Sequence, residues 1–129
     1  MGRTLRLSIA FALLSLLVGP WQGVPPAAAQ SGAVLEVGTS PGCTYTTIEA
    51  AIAAANPGDT IKVENIVYDE GPLTIDKDLT LAGGYNSAPA PSCLTITGTG
   101  RTTLRRTGTV DDRILTVDGA SVTITWFIF

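Results

Sequence analysis

The strongest constraint on this chain is one short pattern written three times. Leu73-Thr74-Ile75 recurs as Leu94-Thr95-Ile96 after 21 residues and as Leu115-Thr116-Val117 after another 21. Two equal steps of an apolar-Thr-apolar triplet read as a tandem repeat, and a period near twenty with one short strand signal per copy suits strands that stack turn upon turn. The spacing predicts an all-β solenoid. In it, Leu73, Leu94 and Leu115 form one inward column, Ile75, Ile96 and Val117 form another, and Thr74, Thr95 and Thr116 line up outside. Neighbouring turns of such a coil sit about 4.8 Å apart. A looser series, Val63, Leu81, Leu104 and Ile124, is expected to stack in the same way, with loops absorbing its unequal steps.

The first 29 residues read as an address rather than as structure. Arg3 and Arg6 form a basic start, Leu7 to Val18 is an apolar-and-Ser run of 12 residues, and Ala27-Ala28-Ala29 supplies a small-x-small cleavage pattern. As a helix this run spans roughly 18 Å, well short of the ~30 Å needed to cross a bilayer. The expectation is a cleaved secretory signal over 1–29, bacterial-type export to the medium or cell surface, and no membrane span after cleavage. The leader carries two of the 8 basic residues and none of the 11 acidic ones, so its removal shifts the net charge from −3 to −5. A mildly acidic chain of this kind argues against a nucleic-acid surface. The chain has no histidine, so the commonest general acid-base group and metal ligand is missing at every position. Cys43 and Cys93 are the only cysteines, and in an oxidising compartment they are expected to pair; two free thiols packed as small hydrophobes is the alternative.

Along the mature chain, residues 30–59 read as a strand and a capping helix, and residues 60–129 as about three to four turns. Ala33 to Val37 alternates as a strand. Thr46 with Glu49 three residues on forms a capping box, and Ile48, Ala51, Ile52 and Ala55 make the apolar stripe of a short helix stopped by Asn56-Pro57-Gly58. That thin stripe suits a lid over the first turn, whose edge and filling would otherwise be exposed. Strands are then predicted at Thr60 to Val63, Leu73 to Ile75, Leu79 to Leu81, Leu94 to Ile96, Thr102 to Leu104, Leu115 to Val117 and Val122 to Ile124, with Gly84 to Ser92 a surface loop. Trp126-Phe127-Ile128-Phe129 breaks the pattern. Four large apolar residues without a lid read as the start of further turns of a longer repeat protein, or as a plug or docking end for another chain.

Several of these segments resemble a known family. Thr46-Thr47-Ile48-Glu49-Ala50-Ala51-Ile52, Asn56-Pro57-Gly58-Asp59-Thr60-Ile61-Lys62-Val63, Tyr68 and Leu73 to Leu81 with Gly83-Gly84 are similar to the N-terminal part of right-handed parallel β-helix proteins of the pectin-lyase-like superfamily. The resemblance implies that the helix is the cap and that the Pro-Gly-Asp-Thr-Ile run opens the first turn. It differs at Ile66-Val67, where the family usually places Gly before the Tyr, and in the tail after Thr125. Members include polysaccharide lyases and hydrolases, epimerases, adhesins and surface proteins, so the resemblance speaks to fold more than to activity.

Candidate chemistry is sparse. Asp76 and Asp118 follow the first and third repeat copies at matching positions, which would set them two turns apart, roughly 9–10 Å, near the separation of an inverting glycosidase pair. Asp111-Asp112 superficially resembles the paired aspartates of pectin hydrolases, but the accompanying Gly-His-Gly and Asn-Thr-Asp motifs are absent, and Arg113 suits an ion pair with them. A calcium site would draw on Asp76, Asp78 and Asp118 with Arg105 or Arg106 as base, a solvated face being the blander alternative. Arg101, Arg105 and Arg106 form a basic cluster suited to an acidic glycan, and Tyr45, Tyr68 and Tyr85 offer rings for sugar stacking or, more simply, for packing. No catalytic or cofactor-binding residue is assigned. The expectation is a secreted or cell-surface β-helix module with a structural, adhesive or glycan-associated role, partnered by a polysaccharide or surface glycan. The alternative is a polysaccharide lyase or glycoside hydrolase with its catalytic turns outside these residues.

Overall fold

The computed structural model describes residues 32–98, 100–108 and 113–129. Its strands are β1 (Val34–Val37), β2 (Asp59–Glu64), β3 (Val67–Glu70), β4 (Leu73–Ile75), β5 (Leu79–Ser87), β6 (Leu94–Thr97), β7 (Thr102–Arg106), β8 (Leu115–Val117), β9 (Val122–Thr125) and β10 (Phe127–Ile128), with one helix, α1 (Ile48–Ala54). The protein is therefore mostly β-strand, with little helix. β2, β3 and β4 belong in turn to three different sheets, and β5, β7 and β8 join the same three sheets in the same order. β9 and β10 return to the first two. All pairings along these three stacks are parallel.

Register explains the core. Ile61 opposes Leu81, which opposes Ile124; Leu73 opposes Leu115 and Ile75 opposes Val117; Tyr68 opposes Leu104. Alternation along each strand turns one set of side chains inward. Val37, Ile61, Val63, Leu73, Ile75, Leu81 and Leu104 are buried there, and α1 adds Ile48, Ala51, Ile52 and Ala55 where it packs on β1, β2 and β3. The apolar stripe of the helix thus faces the inward residues of these strands.

Two stacking expectations are corrected. The Leu94-Thr95-Ile96 copy does not lie between Leu73 and Leu115: β6 pairs antiparallel with the far half of β5, at Tyr85 with Thr97 and Ser87 with Leu94. Besides pairing with β2, β5 is long enough to serve two further partners, β9 through Leu79–Ala82 and β6 beyond Gly84. The 21-residue period therefore mixes one circuit with one inserted hairpin, and the segment expected to be a loop after Gly84 begins as strand. In the second series only Leu81 and Ile124 stack; Ile61 replaces Val63, and Leu104 lies in another sheet.

The hairpin departs at Gly84, whose φ of 83° is a conformation that only glycine takes without strain. The chain rejoins at Thr102, a fully buried residue. Its hydroxyl donates to the Glu64 carbonyl (2.8 Å) and accepts from Gly84 N (2.9 Å), which satisfies backbone groups freed by the bulge between Lys62 and Glu64. The expected Cys43–Cys93 disulfide is formed and ties the hairpin to the loop after β1. Ser40 reinforces that tie, its hydroxyl meeting the Ala88 and Ser92 carbonyls at 2.7 and 3.1 Å.

Candidate functional site

The outward face of the first sheet is the most regular polar surface described. Parallel register sets Val34, Thr60, Thr80 and Thr123 in one row and Glu36, Lys62, Ala82 and Thr125 in the next. The spacing within a row is that of adjacent strands, about 4.8 Å. The Lys62 ammonium lies 5.3 Å from the centre of the Tyr85 ring, within cation–π range. Where β1 meets the loop after it, Val34, Leu35, Glu36, Thr44, Tyr45 and Lys62 line an open groove of about 470 Å³. Its lining is mixed, with Val34, Leu35 and the Tyr45 ring beside Glu36, Thr44 and Lys62. A smaller cleft of about 290 Å³ runs between α1 and β4, bordered by Glu49, Ile52, Asp76 and Lys77.

Buried carboxylates elsewhere are fully occupied in holding the backbone. Glu70 receives the Ile48 and Glu49 amides at 2.7 and 2.9 Å, so a side chain from β3 satisfies two open donors at the start of α1. The expected capping box is shifted: Thr47 is the N-cap, accepting from Ala50 N at 3.3 Å, and Glu49 is not the reciprocal partner. Asp59 accepts from Ala33 N and Asn56 N, and Glu64 from the Thr39 amide and hydroxyl. At the other end of α1, the Lys77 ammonium donates to the Ile52 and Ala55 carbonyls, where a cation complements the helix dipole. Sequence reading did not find the roles of Glu64, Glu70 and Lys77, because each partner lies more than twenty residues away.

The candidate chemistry of the sequence does not assemble. Asp76 and Asp118 lie one strand spacing apart, not two turns apart, since the Asp118 amide donates to the Ile75 carbonyl at 2.9 Å. Asp78 is committed to the Ser121 amide at 2.6 Å. Asp76 is exposed, 3.9 Å from the Lys77 ammonium. Among the described residues no three His, Cys, Asp or Glu side chains converge as a metal site, so Asp76, Asp78 and Asp118 do not form the calcium set considered above. The basic cluster is divided as well: Arg105 makes a two-pronged contact with Asp69 at 2.8 Å, across the β3–β7 register. Asp111-Asp112 lies outside the described residues.

Of the three tyrosines, Tyr68 is a core residue. Its hydroxyl donates to the Val37 carbonyl (3.3 Å), and burial, then the charges of Glu64 and Glu70, push its pKa well above the ordinary phenol range. Tyr45 is half-buried, bridges to Val37 and packs against the core, and Tyr85 alone remains beside the outer face, near Lys62. The outward threonine column also differs from expectation: Thr74 and Thr116 do pair, but Thr95 sits on the hairpin, and the three-strand row is Thr60, Thr80 and Thr123.

No family model, curated protein or solved structure matches this chain. No described helix is long and apolar enough to cross a membrane.

Proposed function

We propose that this chain is a right-handed parallel β-helix module, exported to the cell surface or medium, that associates with an extended glycan through the outer face of its first sheet. Three parallel sheets visited in the same order on successive passes support the coil, and the Cys43–Cys93 disulfide is compatible with an oxidising compartment. The observation that carries the glycan reading is the pair of in-register rows, Thr60-Thr80-Thr123 and Glu36-Lys62-Ala82-Thr125, flanked by Tyr85. Hydroxyls repeated at the strand spacing present hydrogen-bonding groups along a straight line, and tyrosine rings offer an apolar body with a polar tip. An extended polymer can meet several such groups at once, each contributing weakly.

Affinity electrophoresis through gels containing neutral or acidic polysaccharides tests this. Retardation by at least one polymer is expected, reduced in Lys62→Ala and Tyr85→Ala. Unretarded migration in every gel overturns the reading, and unsaturated sugar ends appearing by ultraviolet absorbance would replace it with the lyase alternative.

A further inference from the structure

The turn between β8 and β9 holds an aspartate whose reactive groups the fold leaves uncommitted. Asp118 follows the last residue of β8, is exposed, and precedes Gly119. Its own amide donates to the Ile75 carbonyl at 2.9 Å, and beyond the glycine the Ser121 amide donates to Asp78 Oδ1 at 2.6 Å. Only Gly119 and Ala120 lie between these two anchored residues and their neighbours in the turn. Gly119 takes a φ of 65°, and a β-carbon placed on it would meet nothing within 4 Å. Among the described residues, neither the Gly119 amide nor the Asp118 carboxylate has a hydrogen-bond partner. Asp59 and Asp78 are held quite differently. The Asp59 carboxylate accepts from Ala33 N and Asn56 N, and the Thr60 amide after it donates to the Ala33 carbonyl. The Asp78 carboxylate accepts from Ser121 N, and the Leu79 amide after it donates to the Ser121 carbonyl.

We infer that Asp118-Gly119 is a modification site at which the folded protein rearranges its own backbone, converting Asp118 to the β-linked isoaspartate. The Gly119 nitrogen attacks Cγ of the protonated Asp118 carboxyl. The new bond closes a five-membered succinimide, and the carboxyl hydroxyl leaves as water with the amide proton. Water then adds to either ring carbonyl. Cleavage of the bond from nitrogen to Cγ restores aspartate, whereas cleavage of the bond from nitrogen to the main-chain carbonyl carbon leaves the chain running through the side chain. One water is lost and one regained, so no other reactant is consumed. Ring closure swings a planar peptide unit toward Cγ, which a hydrogen-bonded amide or a side chain on the following residue obstructs. Gly119 presents neither obstacle, and a glycine reaches backbone conformations that other residues do not. The product adds one carbon to the backbone of the connection that sets Val122 opposite Leu79, so the rearrangement loosens β9 on β5.

Trypsin cleaves after Arg113 and releases residues 114–129 as one peptide, in which Asp118 is the only acidic residue. After the native protein has stood for several weeks at mildly acidic pH and physiological temperature, this peptide is expected to separate into two chromatographic species of equal mass. The new species should give the fragment ions of β-linked aspartate. It should accumulate at a rate close to that in a synthetic peptide of residues 115–122 kept under the same conditions. Asp118→Glu should abolish it, since the longer side chain has to close a six-membered ring, and an unchanged circular dichroism spectrum verifies the fold of that variant. A native protein that keeps one species while the free peptide gives two overturns the inference, because the fold then protects the turn. One species in both overturns it as well, and so does a second species that persists in Asp118→Glu.

Discussion

The end under α1 and the end formed by β8, β9 and β10 use the same parallel register but differ in burial. At the first, Ile48, Ala51 and Ile52 cover the inward residues, and Glu70 and Lys77 satisfy the two termini of the helix that does the covering. At the other, the next members of the same columns are half-exposed: Leu73 is 1% accessible and its register partner Leu115 is only partly covered. Identical residues in one column therefore differ in environment only by what lies above them. In a stacked architecture, burial is a property of position in the stack rather than of the residue.

The largest effect expected concerns the covalent tie near the covered end. Replacing Cys43 and Cys93 together by serine frees a loop of 50 residues, which should lower stability by about 4 kcal/mol on the chain-entropy account, read as a fall in the urea midpoint. The sharpest test of the comparison is next. Leu73→Ala should cost about 3 kcal/mol, within the range for a buried leucine, whereas Leu115→Ala should cost about 1 kcal/mol or less. Equal losses at the two positions would break the contrast between the ends.

Glu70→Ala removes the acceptor of two α1 amides and should cost about 2 kcal/mol, the scale of hydrogen bonds to a charged group. Loss of helical ellipticity before global unfolding would show that the lid itself had loosened. The smallest effect lies in the alkaline limb. Tyr68 holds its proton more tightly when folded, so its stabilising contribution is intact below the unfolded tyrosine pKa near 10 and is lost as pH rises above it. Stability should fall with rising pH there, and Tyr68→Phe should flatten that limb of a pH series of urea midpoints.

Much of the strand inventory was legible because period-2 alternation is a local property: Leu73 to Ile75 and Leu115 to Val117 are strands at the expected bounds. β3 was not, since Val67-Tyr68-Asp69-Glu70 carries two acidic residues, and Glu70 faces inward only because α1 amides await it. The pairing of Leu94 to Thr97 was equally hidden. An apolar-Thr-apolar triplet fits a parallel or an antiparallel neighbour alike, so the repeat announced a strand without naming its partner. The outer-face rows were half-legible: the threonines were evident, but which of them align depended on how many residues the hairpin removes from the circuit.

The sequence by itself determined that this protein builds short strands and a brief amphipathic helix, because alternation and capping residues act over a few residues, and it left Cys93 as the one disulfide partner for Cys43. Tertiary structure alone decided that Leu73 stacks on Leu115 with Leu94 set aside, and that Glu70 and Lys77 hold the ends of α1. Register is chosen between strands far apart in the chain, where the whole core must close together, and no local pattern carries that information.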